Sequence, residues 1–164
     1  MIDLHAALET VLLLTYKKMQ HANIVVERRW AKNLPHILGN PDHLKQVFLN
    51  LILNAIDAMA ETGGTLTIRT GTEVAELQPG QRQPLVRLEF SDTGVGIADE
   101  VMAHLFQPMA ARKAQGTGFG LYTSHNIVTA HHGKISVASQ VSQGTTFTIL
   151  LPIDANDVRG QIDD

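Results

Sequence analysis

The sequence predicts an α/β fold, a two-layer sandwich with a mixed sheet of about five strands and three main helices on one face. Three observations carry this. Apolar residues recur at helical spacing over three long segments. Five or more segments have the β-branched, alternating character of strands, and twice two of them follow each other directly. Helices and strands therefore alternate only in part, which disfavours a doubly wound sheet and favours helices gathered on one face.

The elements follow in order. "IDLHAALETVLLLTYKKMQ" places Leu4, Leu8, Val11, Leu12 and Leu14 at spacings that give a helix one buried face. "NIVVERRW" is short and β-branched, a strand. "HILGNP" reads as a second short strand closed by turn residues. Pro41 and Asp42 open the next helix, proline because it suits a first turn and aspartate because it suits the helix dipole. That helix is expected to run to about Glu61 and stop at Gly63-Gly64. "TLTIRTGTEV" and "LVRLEFSD" alternate as paired half-exposed strands do, around a loop, "AELQPGQRQP". "DTGVGI" is a turn and "ADEVMAHLF" a short helix. From Gln107 to Gly118 periodicity is lost, so a mobile loop is expected. "FGLYTSHNIVTAHH" is a helix ending at Gly133, and "KISVASQ" and "TTFTILLP" are the last strands. Residues 1–152 thus form one domain and 153–164 a polar tail.

Composition narrows the function. The chain has 164 residues, 44 % hydrophobic and 18 % charged, enough for one proper core. A net charge of -3 gives no electrostatic footprint for nucleic acid. With 0 cysteines, disulfides, thiolate metal sites and cysteine nucleophiles are excluded, which fits a reducing compartment. No apolar run approaches the roughly 20 residues of a membrane helix. A cytoplasmic location without membrane contact is expected.

Three stretches carry chemistry. In "VFLNLILNAIDAM", ten of thirteen residues are apolar, the exceptions being Asn50, Asn54 and Asp57. Positions i and i+4 share a helix face, so the two amides project together, with Asp57 one turn beyond Asn54. Amides buried without partners would cost about 1 to 3 kcal/mol each. Each therefore either bonds neighbouring backbone or meets a ligand. In "SDTGVGI", Asp92 ends an apolar strand, and Gly94 and Gly96 permit positive φ or close approach of a ligand. Asp-Thr-Gly is also an aspartic-protease signature, in which two carboxylates share a proton. A single copy would need a homodimer and would leave the asparagines unexplained. In "GTGFGL", Gly116, Gly118 and Gly120 stand at a helix entrance, where backbone N–H groups can meet an anion. Neither a Rossmann fingerprint nor a P-loop is present.

The order and separation of these signals are more specific than any one of them. Asn-x-x-x-Asn, then Asp-x-Gly-x-Gly, then Gly-x-Gly-x-Gly resembles the ATP-binding catalytic domain of two-component sensor histidine kinases. Those belong to the Bergerat-fold superfamily with gyrase, the heat-shock chaperone ATPases and MutL. The resemblance covers roughly residues 3 to 152. It implies Mg²⁺ and ATP as cofactors. Asn54 would hold the metal, Asn50 would sit beside the phosphates, and Asp92 would accept from the adenine amino group. Gly96 would let the base approach, Ile97 would wall its pocket, and Thr145 would support it. Gly94, Thr117, Phe119 and Leu121 lie within the same binding motifs, and Phe106 resembles the family's phenylalanine box. Residues 107–117 would be a flexible ATP lid, with Lys113 reaching a phosphate and the amides of Gly116, Gly118 and Gly120 cradling them. Asp57 would bond locally near the pocket floor.

The same resemblance implies a mechanism. Hydrolysing members carry a glutamate four residues before the metal-binding asparagine, as general base for water. Here that residue is Asn50, which cannot take a proton at neutral pH. The γ-phosphoryl would go instead to a histidine on a separate dimerising helical hairpin, and a response regulator would act downstream. None of the 8 histidines has the acceptor context, so the hairpin is expected on another segment or chain, and this piece alone is expected to be monomeric. Alternatives are a serine kinase of the anti-sigma type, or a degenerate nucleotide-binding docking module. The latter draws on one departure, "PMAARK", where related kinases often have Phe-Phe-Thr-Thr-Lys.

Overall fold

Local sequence sets each element in the computed structural model, which describes residues 1–108, 120–154 and 156. Helix α1 (Leu4–His21) begins where the Asp3 carboxylate accepts from the Ala6 amide at 3.1 Å, and buries Leu4, Leu8, Val11, Leu12 and Met19. Helix α2 (Pro41–Ala58) is capped by Asn40, whose Oδ1 accepts from the amides of Asp42 and His43. Pro41 occupies its first turn, where a missing N–H costs nothing. Its buried residues, from Leu44 through Ile56, include fully buried Phe48 and Ile52.

Strands β1 (Ile24–Arg29), β2 (Gly64–Gln78), β3 (Gln81–Asp92), β4 (Lys134–Gln140) and β5 (Gly144–Pro152) form one sheet in the order β1-β2-β3-β5-β4. Only β1 and β2 run parallel, so the sheet is mixed. Ile68, Phe90, Phe147 and Val137 stand in register across four strands and turn inward. Alternate positions such as Arg69, Glu89 and Thr148 form the other face, with Arg87 paired to Glu89 at 2.6 Å and to Glu73 at 3.2 Å. Helix α2 packs between α1 and α4 (Gly120–Ala130) over the inward face, and a short α3 (Asp99–Met102) lies between β3 and α4. The predicted α/β sandwich is therefore the observed architecture, with four helices among the described residues.

Local expectations differ in several places. "HILGNP" contributes no strand: only Ile37 pairs, in an isolated bridge to Ile2, because the chain turns at once to cap α2. The expected loop at 75–84 is mostly strand, since β2 and β3 stay paired out to Gln78 and Gln81 around Pro79-Gly80. Pro84 is tolerated there because β5 stops opposite Leu85, leaving that edge of β3 unpaired. Helix α2 ends at Ala58 rather than Glu61, and α3 is far shorter than "ADEVMAHLF". At the C-terminus, Ile153 packs on the core and the amide of buried Asp154 donates to the His36 carbonyl at 3.1 Å. The expected lid at 107–117 lies outside the described residues from 109 on, with Lys113, Gly116 and Thr117 in it, and Gly118 and Phe119 lie outside them as well.

Candidate functional site

A cleft of about 310 Å³ opens between α2, the loop after β3, α3 and the start of α4. Of the residues singled out in sequence, it brings together Asn54, Asp57, Asp92, Gly96, Ile97, Leu121 and Thr145. Its walls also include Val95, Ala98, Val101, Leu105 and Phe147, which sequence reasoning missed. Two of these had a signal: Phe147 shares a strand face with Thr145, and Leu105 follows Val101 at i+4.

The Asp92 end is closely specified. Asp92 closes β3, directly opposite Thr145 of β5. Its Oδ1 accepts from the Gly94 amide at 2.9 Å and the Thr145 amide at 3.3 Å. Oδ2 has no partner among the described residues. Burial pushes this carboxyl above the usual aspartate range, and the two amide bonds partly offset that. Gly96 is held at φ +75°, and any Cβ there would collide with the Gln140 carbonyl. The Ser142 amide donates to the Val95 carbonyl at 2.8 Å, and the Ile97 amide donates to Ser139 Oγ at 2.8 Å. The end of β4 and the turn after it thus clamp the loop that carries Gly96 and Ile97.

At the α2 end the two asparagines separate. Asn54 is half-buried and lines the cleft, and its side chain makes no hydrogen bond among the described residues. Asn50 does not line it. Its Nδ2 donates to the Gly120 carbonyl at 3.0 Å and to Ser124 Oγ at 3.2 Å, while its Oδ1 accepts from Gln46 Nε2 at 2.9 Å. Asn50 therefore ties α2 to the start of α4. Asp57 sits at the exposed rim, its carboxyl pushed up by partial burial against the pull of Lys18. Gly94 lies against Ala58 and Phe106 packs on the His125 ring at 5.6 Å, and neither lines the cleft.

The residues present fit a purine nucleotide. Apolar walls and one free carboxylate oxygen suit a flat base with an amino group. A lone amide oxygen suits a hard cation that keeps most of its waters. No group of three or more histidine or acidic side chains able to hold a metal occurs among the described residues, so further ligands would be phosphate oxygens and water.

The chain is 40 % identical over 153 residues to a sensory histidine kinase/phosphatase NtrB of Vibrio alginolyticus, covering 92 % of the chain and 43 % of that protein. It is 36 % identical to the sensor histidine kinase ZraS of Escherichia coli, covering 93 % of the chain and 31 % of ZraS. The chain thus spans less than half the length of these relatives. Among solved structures, the catalytic domain of histidine kinase ThkA matches with a TM-score of 0.76 at 27 % identity, covering 93 % of both chains. Histidine kinase AdeS of Acinetobacter baumannii matches at 0.70 and 29 %, covering 93 % of this chain and 66 % of that one. A family described as histidine kinase-, DNA gyrase B- and HSP90-like ATPases matches residues 39–155, and the chain belongs to that family.

Proposed function

We propose that the cleft binds Mg-ATP and that the chain is the catalytic part of a sensor histidine kinase, donating the γ-phosphoryl to a histidine on a separate dimerising hairpin. A response regulator would receive the group downstream. The observation that carries this is Asp92: a carboxylate fixed through one oxygen, with the other free in an apolar cleft. In this reading Asp92 accepts from the adenine amino group, Gly96 and Ile97 flank the base, and Leu121 and Thr145 complete its pocket. Asn54 holds the magnesium ion, which neutralises charge on the phosphates. Asp57 stands beside Asn54 at the rim.

The role of Asn50 is to fix the start of α4, where the phosphates would lie. Both ends of its amide are engaged, and an amide cannot take a proton from water. Slow hydrolysis without an acceptor follows, with transfer governed by positioning. Residues 107–117, Thr117 among them, would form the lid, with Lys113 reaching a phosphate, the amides of Gly116, Gly118 and Gly120 cradling the phosphates and Phe119 in the same motif.

The test supplies the chain with labelled Mg-ATP and a dimerising hairpin bearing the acceptor. The expected product is a phosphate lost in acid and retained in base, as a phosphorus–nitrogen bond requires. A base-labile, acid-stable product would point to serine and overturn the histidine assignment. Free phosphate released rapidly without the hairpin would contradict the reading of Asn50.

A further inference from the structure

We propose that Ser139 is a positioning residue that sets the base specificity of the cleft, by fixing which way the Thr145 hydroxyl points its proton. The inference rests on the ATP reading above. Ser139 and Thr145 are directly opposed on β4 and β5. Three groups meet Ser139 Oγ: the Ile97 amide at 2.8 Å, the Gly144 carbonyl at 3.0 Å and Thr145 Oγ1 at 2.8 Å. A hydroxyl has one proton and two lone pairs. The Gly144 carbonyl can only accept, so it takes the Ser139 proton. The Ile97 N–H can only donate, so it fills one lone pair. The other lone pair is left for Thr145, whose hydroxyl must donate to Ser139. This is the one assignment that satisfies all three contacts.

The consequence lies in the cleft. Thr145 lines it, is only 4 % exposed, and has its single proton engaged with Ser139. What it can offer a ligand is a lone pair. The free Oδ2 of Asp92 is likewise an acceptor when ionised. The side chains at this end therefore present acceptors and no donor. A purine with an amino group at its six position meets them well. A purine with a six-oxo group sets acceptor against acceptor and leaves polar atoms unpaired, the arrangement that rejects ligands most strongly. Without Ser139, Thr145 could turn its proton toward a six-oxo group, and the Ile97 amide would lose its acceptor.

The experiment measures dissociation constants of Mg-ATP and Mg-GTP for the chain and for Ser139→Ala, Ser139→Cys and Ser139→Thr. The parent prefers ATP. In Ser139→Ala that preference shrinks about tenfold, the worth of one oriented hydrogen bond to a buried group. Ser139→Thr keeps the hydroxyl and retains the preference. Ser139→Cys is nearly isosteric but bonds weakly, so its preference also falls, and it serves where the alanine variant does not fold. A merely structural role would weaken both nucleotides together. If Ser139→Ala, or Ser139→Cys in its place, keeps the parent's ATP-to-GTP ratio, the inference is overturned while the ATP reading stands. A parent that binds neither nucleotide overturns the ATP reading, and the inference with it.

Discussion

At the Asp92 end of the cleft the side chains are held in place by their neighbours: amides from the loop and from β5 hold Oδ1, and Ser139 holds both Ile97 and Thr145. At the Asn54 end the facing amide has no partner among the described residues, and its neighbour Asn50 is turned away into α4. One end is built before a ligand arrives, and the other is completed by the ligand and its metal. Preorganisation lowers the ordering cost of binding. The base end should therefore supply most of the discrimination, and the metal end most of the dependence on conditions.

The largest effect is expected at the prebuilt end. Asp92→Asn places an amide donor where an amino group arrives, and should weaken ATP binding by about 2–3 kcal/mol, roughly a hundredfold. Folding should respond in the opposite sense. Burial raises the carboxyl pKa above its unfolded value, so the stabilising contribution of this group is full at low pH and is lost as pH rises through the folded pKa. At neutral pH the neutral amide removes that cost, and the variant should melt at or above the parent. Affinity for ATP in the parent should fall as pH drops through the same raised pKa, because protonation turns the free acceptor into a donor. Binding isotherms across pH, with melting curves alongside, check both directions.

A smaller and more selective effect is expected at the other end. Asn54→Ala should remove about tenfold of affinity in the presence of magnesium, on the order of one hydrogen-bond-sized contact, and little in its absence. Equal losses with and without the metal would mean that Asn54 contacts the nucleotide rather than the ion. The smallest effect sharpens the contrast between the two asparagines. Asn50→Ala breaks the ties to Gly120 and to fully buried Ser124, and should cost about 1 kcal/mol of folding stability, read from urea denaturation. It should leave the metal dependence intact.

Much of this was legible in sequence because periodicity reports burial directly. The greasy face of α2 and the alternation of β2 and β3 predicted the layer arrangement and placed Asp92 at a strand end. The extension of β2 and β3 to Gln78 and Gln81 was not legible, because "AELQPGQRQP" is polar and its strand character comes from cross-strand pairing. Spacing put Asn50 and Asn54 on one face but could not say which would be claimed by α4, since Gly120 and Ser124 are seventy or more residues away. Ser139 escaped for the same reason. Nothing in "KISVASQ" distinguishes it from a solvated strand serine until β5 and the Ile97 loop are folded against it.

The account depends most on Asp92 as the acceptor for an adenine amino group. The most direct measurement is calorimetric titration of Mg-ATP into the chain and into Asp92→Asn, with the folding stability of both recorded. The account predicts saturable binding by the parent, affinity weakened roughly a hundredfold in the variant, and a variant that is no less stable. Parent and variant binding ATP alike, or the parent not binding it, would contradict the account.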